Sequence, residues 1–286
     1  MENLSRQPLD IVTASRLKDL HILALAAENL RRFVPFKQLY VITARANFHR
    51  FEDMIGPGAV LLDEDAIIPG MNLVQLRGLD EPDFPRGAGW YFQQFLKYAF
   101  AFQKMEDDYY LIWDADTVPL RPLEFFDKDG RMLFTVAEEF NRSYFETYKR
   151  LLRHDPQREF SFISQHMIVR KSIVREMLET IEGNFPGGEN WAWKIVRHLA
   201  GEGTNRFSEY ETLGHYIKNT HPQTATFRRL PWSRDGVRLT STHPSKSDLD
   251  RLAEKYAFVA FEANQGVLRR SAARLRKWVP LPSRKR

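Results

Sequence analysis

The 286-residue sequence contains no cysteine. That absence excludes disulfides, zinc–thiolate sites and thiol nucleophiles, and it permits a reducing compartment without requiring one. Long apolar runs are missing as well. No uninterrupted stretch approaches the ~20 residues needed to span a bilayer, and Met1–Asp10 lacks the apolar segment of a secretory signal, so a cytoplasmic location is expected. There is no internal repeat and no low-complexity tract. What is present is 43% hydrophobic and 28% charged, enough to bury a sizeable core in one large domain, or in one domain with extensions.

The formal charge of +5 is unevenly spread. Arg269, Arg270, Arg274, Arg276, Lys277, Arg284, Lys285 and Arg286 crowd the C-terminus, leaving the rest near neutral or slightly acidic. With Leu268, Leu275, Trp278, Val279 and Leu281 interleaved, this end suits an anionic membrane surface at the inner face of a membrane. The plainer reading is a solvated tail that aids solubility. Charge confined to one end, rather than lining a groove, argues against nucleic acid.

Hydrophobic spacing predicts a strand at Asp10–Ala14 and a helix over Leu17–Phe33 with Leu20, Leu23, Ala24, Ala27 and Leu30 on one face, stopped by Pro35. Strands follow at Gln38–Thr43 and Ala59–Leu62. Asp80–Gly89 reads as a loop. Trp90–Met105 reads as a helix with Phe92, Phe95, Leu96, Ala99 and Phe102 as its apolar stripe. Strands are expected at Arg131–Glu138 and Phe160–Val169. Helices are expected at Ser172–Glu182 (Ser172 as N-cap), Trp191–Leu199 and Ser208–Ile217, with irregular chain after Thr220. A strand–helix–strand opening predicts a parallel sheet with right-handed crossovers.

The most informative segment is Tyr110-Leu111-Ile112-Trp113-Asp114-Ala115-Asp116-Thr117, an apolar run that ends in two carboxylates separated by one small residue. It reads as a buried strand with Asp114 and Asp116 at its C-terminal edge, where open α/β sheets bind ligands. Two same-side aspartates repel each other, and a hard divalent cation would relieve that repulsion. A structural turn is the alternative, although Pro119 stops a regular interior strand from continuing.

At this point the sequence resembles the GT-A class of nucleotide-sugar glycosyltransferases. The segment Trp90-Tyr91-Phe92-Gln93-Gln94-Phe95-Leu96-Lys97, then Trp113-Asp114-Ala115-Asp116, then Phe207-Ser208-Glu209-Tyr210-Glu211, is similar to a poorly characterised bacterial family of that fold. The resemblance covers about residues 8–245. An Asp-x-Asp motif is common to many such families, and the three segments in this order are more specific. The resemblance implies a GT-A-like (Rossmann-like) α/β fold, a mostly parallel sheet flanked by helices. Residues 1–245 would form the catalytic domain and 246–286 a helical, basic C-terminal extension.

The implied activity is transfer of a sugar from a nucleoside diphosphate donor to a glycan or lipid-linked acceptor, with Mn²⁺ or Mg²⁺. The resemblance makes Asp116 the most direct metal ligand, with Asp114 supporting the metal or touching the ribose. A late histidine completes the shell in such folds; His243 is the candidate and His221 the rival. Thr13, Ala14, Ser15 and Arg16, at the first strand's exit, would meet the base and ribose, or form an ordinary strand-to-helix turn. Lys97 would meet a phosphate and Gln94 the base or sugar, unless both belong to a solvated stripe. Trp113 and Ala115 would lie against the donor. Gln165 and His166 would line the sugar pocket, or His166 would be a buried core residue. An inverting reaction needs a carboxylate to deprotonate the acceptor; Glu209 or Glu211 fits that place, and helix-dipole compensation is the alternative.

Two other functions compete. Asp114-Ala115-Asp116-Thr117-Val118 also matches the first motif of haloacid-dehalogenase-like phosphatases, with Asp114 as nucleophile, but three strands precede it here, and Asp248 and Asp250 substitute poorly for a late acidic pair. A non-catalytic glycan- or membrane-binding protein would use the 21 Phe, 10 Tyr and 6 Trp as stacking surfaces, although their spacing fits core packing.

Overall fold

The computed structural model describes residues 7–79, 87–203 and 205–262. The basic segment 269–286 with its interleaved apolar residues, and most of the expected loop at 80–89, lie outside the described residues. In chain order the elements are Leu9–Ala14 (β1), Leu20–Phe33 (α1), Phe36–Thr43 (β2), Phe48–Ile55 (α2), Ala59–Asp63 (β3), Glu64–Ile67 (α3), Leu73–Arg77 (α4), Ala88–Ala99 (α5), Tyr109–Trp113 (β4) and Thr117–Pro119 (β5). Then come Met132–Thr135 (β6), Arg142–Leu152 (α6), His166–Arg170 (β7), Lys171–Asn184 (α7), Trp191–Arg197 (α8), Glu209–Thr220 (α9), Ala225–Arg228 (β8), Trp232–Ser233 (β9), Gly236–Leu239 (α10), Lys246–Ala253 (α11) and Phe258–Ala260 (β10).

Five strands make the main sheet in the order β3-β2-β1-β4-β7. β1, β2, β3 and β4 are parallel, and β7 closes one edge antiparallel to β4. Helices flank this mostly parallel sheet, as the sequence leads one to expect. The chain steps outward from β1 to β3, then returns to lay β4 on the other side of β1. Strand order therefore reverses between β1 and β4, and a crevice opens at the carboxyl ends of these two strands. Tyr110, Leu111, Ile112 and Trp113 are all fully buried. That is why β4 reads as a continuous apolar run rather than an alternating one: both faces of the sheet are covered.

A second, three-stranded sheet, β5-β10-β9, is built directly onto the end of β4. β10 pairs antiparallel with β5, and the Phe261 N–H donates to the Asp116 carbonyl at 2.8 Å. The division expected after residue 245 thus runs between β9 and β10, which are hydrogen-bonded neighbours. Helix α1 serves both layers. Leu20, Leu23, Ala27 and Leu30 enter the main core, while Ile22 and Ala26 join Val118, Leu120, Leu249, Leu252, Val259 and Phe261; Ala24, expected on the buried face, is only half-buried.

Other expectations change in detail. The helix expected to reach Met105 ends in a 3-10 turn at Phe100–Phe102, and Phe102 is exposed rather than part of the stripe. The strand expected over 160–169 is shortened to β7, with an isolated bridge from Ala137 to Ser161 upstream. Ser172 does not cap α7; its backbone N–H donates to Asp108 Oδ1 at 3.0 Å, so the cap is borrowed from the end of a distant loop. Ser208 does cap α9, accepting from the Glu211 N–H at 3.3 Å.

Candidate functional site

β4 ends in a tight turn, Thr117 N–H to Asp114 carbonyl at 3.0 Å, which brings both aspartates to the switch-point crevice. Asp114 is held there from three sides. Lys97 of α5 forms an ion pair with its Oδ1, and Tyr210 of α9 donates to the same oxygen at 2.8 Å. Gln165 is the third partner. With its amide nitrogen turned toward Asp114 it donates to Oδ2 at 2.6 Å, and its oxygen accepts from Arg234 at 3.0 and 3.1 Å. This is the amide orientation that its neighbours' donors and acceptors require.

Lys97 is 1% exposed. It also meets Glu209 Oε1 at 2.7 Å, so one buried cation serves two carboxylates. Burial opposes the charge on Lys97, but Asp114 and Glu209 more than offset it and hold the ammonium above its ordinary pKa. Burial pushes Glu209 up, with Lys97 opposing and Asp114 adding to the rise. Gln94 Oε1 accepts from the Glu209 N–H at 3.0 Å, and Tyr98 donates to the Glu209 carbonyl at 2.5 Å, pinning the first turn of α9 against α5. Gln94 and Lys97 are therefore buried positioning groups and not a solvated stripe.

Asp116 differs. It is half-buried, and among the described residues the one hydrogen bond to its carboxylate is a long one, 3.5 Å from Thr117 Oγ1. Burial first, then Asp114 and Glu262, push its pKa up from 3.8 to about 7. Glu262 arrives on the end of β10; Arg234 lies 3.6 Å from it and 2.6 Å from Glu139. Gln165 links the two halves, and it holds φ at +67°, a left-handed conformation that costs a non-glycine residue on the order of 1 kcal/mol or more. The Asp114 N–H donating to its carbonyl at 2.9 Å helps hold it there.

Two cavities are present among the described residues. One of about 730 Å³ is lined by Leu17, Leu20, His21, Arg50, Asp53 and Met54, at the start of α1 and along α2. The other, about 380 Å³, is bordered by Ala137, Glu138, Glu139, Ile163, Trp232, Ser233, Arg234 and Asp235. Thr13 and Thr43, at the carboxyl ends of β1 and β2, bury hydroxyls that find no hydrogen-bond partner among the described residues.

Several expected site residues lie elsewhere. Trp113 is in the core, donating to the Thr117 carbonyl at 2.7 Å and stacked on His166 at 5.0 Å. His166, also wrapped by Phe125 and Phe258, is pushed down to about 3 by burial and then by Arg228; it is a neutral core imidazole, not a pocket wall. Glu211 points into the interior, accepting from Ser161 Oγ at 2.5 Å and Phe162 N–H at 3.3 Å, with His215 at 3.1 Å. His221 pairs with Glu176 at 3.0 Å beyond the far end of α9. His243 is exposed and stacked on His21 at 4.3 Å. Ala115 is buried beside the pair, and Arg16 is exposed, 3.9 Å from Asp19.

Sequence reading passed over Tyr210, Arg234, Glu139 and Glu262. Tyr210 lay between two singled-out glutamates. Arg234 and Glu262 come from the irregular stretch after Thr220, where no periodicity signals placement.

Among the described residues no group of three or more His, Asp or Glu side chains is arranged to hold a metal ion. The donor set still fits one kind of cation. Mg²⁺ and Mn²⁺ are commonly held by one or two carboxylates plus substrate phosphates and water, not by a protein cage. Asp116 offers such a carboxylate, whereas both oxygens of Asp114 already have partners.

The fold defines an α/β protein whose mostly parallel sheet carries a pair of aspartates at its switch point. The chain belongs to DUF6492, a family of unknown function, whose model matches residues 8–247. No curated protein matches it. It is similar to solved structures of the galactosyltransferase LgtC in complex with donor and acceptor sugar analogues (TM-score 0.46, 12% identity, 96% of this chain and 98% of that chain). It is also similar to mouse xyloside xylosyltransferase 1 (0.47, 14%, 91% and 100%) and to the bifunctional glycosyltransferase WbbM (0.45, 12%, 89% and 45%). These are likenesses in the course of the chain, and no residue's role is taken from them.

Proposed function

We propose that this protein is a metal-dependent glycosyltransferase, moving a sugar from a nucleoside diphosphate donor to a glycan or lipid-linked acceptor. The observation that carries the reading is Asp116: a half-buried carboxylate at the switch point, raised to about 7 by burial and by the carboxylates beside it, with no ion pair to a cation among the described residues. Such a group gains most from Mn²⁺ or Mg²⁺ shared with a diphosphate. Bound there, the cation would supply Lewis-acid stabilisation of the charge developing on the leaving diphosphate.

The chain's own residues set the stage. Thr13–Arg16, at the exit of β1, would meet base and ribose, and the 730 Å³ cavity begins at Leu17, the next residue in the chain. Lys97 and Tyr210 fix Asp114 from beneath, so the turn carrying Asp116 is held rigid. Glu209, buried against Lys97, is a positioning group in this reading; Glu211 is a structural one. The catalytic domain is drawn to residue 262, because β10 completes the site. A lipid-linked acceptor would suit the basic C-terminal segment.

A phosphatase with Asp114 as nucleophile fits less well, since an attacking carboxylate oxygen needs a clear approach and both oxygens of Asp114 are taken. The test is direct. The purified protein is assayed with Mn²⁺ against UDP-, GDP- and CDP-sugars and against a panel of phosphomonoesters. Turnover of one nucleotide sugar is expected. Phosphomonoester turnover without it would overturn the proposal.

A further inference from the structure

The smaller cavity shares a wall with the carboxylate cluster. Arg234 and Asp235 border it. Arg234 hydrogen-bonds to Gln165, which holds Asp114, and Asp235 forms a bridge to Phe261, whose N–H donates to Asp116. At about 380 Å³ it falls within the size range of small-molecule sites. Its apolar floor is Ala137 and Ile163; its side is Trp232, stacked on Phe258 at 5.3 Å and carrying the Arg234 guanidinium 5.5 Å from its ring centre.

The charges around it come as matched pairs. Glu139 meets Arg234 at 2.6 Å, Glu138 meets Arg229 at 3.0 Å, and Asp235 meets Arg238 at 2.6 Å. Glu262, 3.6 Å from Arg234, gives that guanidinium a second carboxylate partner. A carboxylate or phosphate entering here would have to displace an existing partner and face like charges, whereas hydroxyl groups can bridge donors and acceptors without displacing either.

We infer that this cavity is the acceptor subsite, and that it takes an uncharged, hydroxyl-bearing pyranose in preference to an anionic one. The inference rests on the donor reading above. Gln165, bridging Arg234 to Asp114 in its left-handed backbone, is the positioning residue that fixes the two substrates relative to each other.

The experiment uses saturation-transfer NMR on the full chain with Mn²⁺, in the presence and absence of UDP, GDP and CDP. The probes are methyl glucoside, methyl galactoside, methyl mannoside and N-acetylglucosamine, against glucuronate and galacturonate. At least one neutral sugar should bind, with its uronate at least about tenfold weaker. Ser233→Trp, which fills the cavity, should remove the signal while nucleotide binding persists. Glu139→Gln keeps the shape but removes one negative charge, so it should narrow the gap between neutral sugar and uronate; it decides the matter if Ser233→Trp does not fold. Equal or tighter uronate binding, neutral-sugar binding that survives in folded Ser233→Trp, or an unaltered preference in Glu139→Gln would overturn the inference. If a nucleotide binds but no neutral sugar does, this inference fails alone; if no nucleotide binds, the donor reading fails, and the sugar result still judges the cavity.

Discussion

The two aspartates at the end of β4 occupy opposite environments. Asp114 is closed in by Lys97, Tyr210 and Gln165, and its charge is neutralised from within. Asp116 has Glu262 and Asp114 for neighbours and, among the described residues, a single long hydrogen bond. Burying an ion pair costs desolvation that good geometry can only partly return, so the Lys97 half is a rigid support rather than a source of large net stability. An unneutralised carboxylate in such a place takes up a proton more readily, or accepts a cation that supplies the missing positive charge. The contrast separates the part of the motif that is held from the part that is proposed to bind.

The largest way to break this contrast is Lys97→Met. It leaves Asp114 and Glu209 buried without their shared cation, and the expected loss is about 3–5 kcal/mol in denaturant unfolding. A loss below about 1 kcal/mol would mean the pair is not the internal support described.

Asp116→Asn should do the reverse in the absence of metal. The folded protein binds the Asp116 proton more tightly than the unfolded chain does, since its pKa rises from 3.8 to about 7. That group's stabilising contribution is complete below pH 4 and is lost as pH climbs to about 7. With EDTA present, Asp116→Asn should match the wild type near pH 4 and exceed it by roughly 2 kcal/mol near pH 8, after allowing for partial exposure. Thermal melts across that range read the difference, and parallel curves would contradict the environment assigned to Asp116.

Glu211→Ala should cost about 2 kcal/mol, because Ser161 and the Phe162 N–H lose a buried acceptor. The loss should show in the melting temperature, with no selective fall in kcat of the folded enzyme. A hundredfold kcat loss at native stability would restore Glu211 as the base. His243→Ala, at the exposed stack on His21, should change stability by less than about 0.5 kcal/mol and leave Mn²⁺-dependent nucleotide binding intact. Loss of that binding would bring His243 into the metal shell.

What could be read from the sequence follows from contrast in the chain itself. β4 and its acidic end were visible because an apolar run stops at two carboxylates, and β1 to β3 because their apolar runs, short in β3, are clearly bounded. The support beneath Asp114 was not visible as such: Gln94 and Lys97 look like the polar side of an amphipathic helix, and only the arrival of α9 shows that this side is buried too. The core role of His166 was equally open until Trp113, Phe125 and Phe258 closed around it. β5, β9 and β10, of two or three residues each, are too short for periodicity to register. Yet they deliver Glu262 and Arg234, so the acceptor side of the site could be found only in three dimensions.

The central claim is that Asp116 is the group that recruits a cation together with a diphosphate, and thermal stabilisation tests it most directly. Wild type and Asp116→Asn are melted with UDP, GDP and CDP, each with and without Mn²⁺. A nucleotide that binds only the folded form raises the melting temperature by mass action. The account predicts a rise for one nucleotide, in the wild type only and with Mn²⁺ only. The same rise in Asp116→Asn, or no rise with any nucleotide in the wild type, would contradict it.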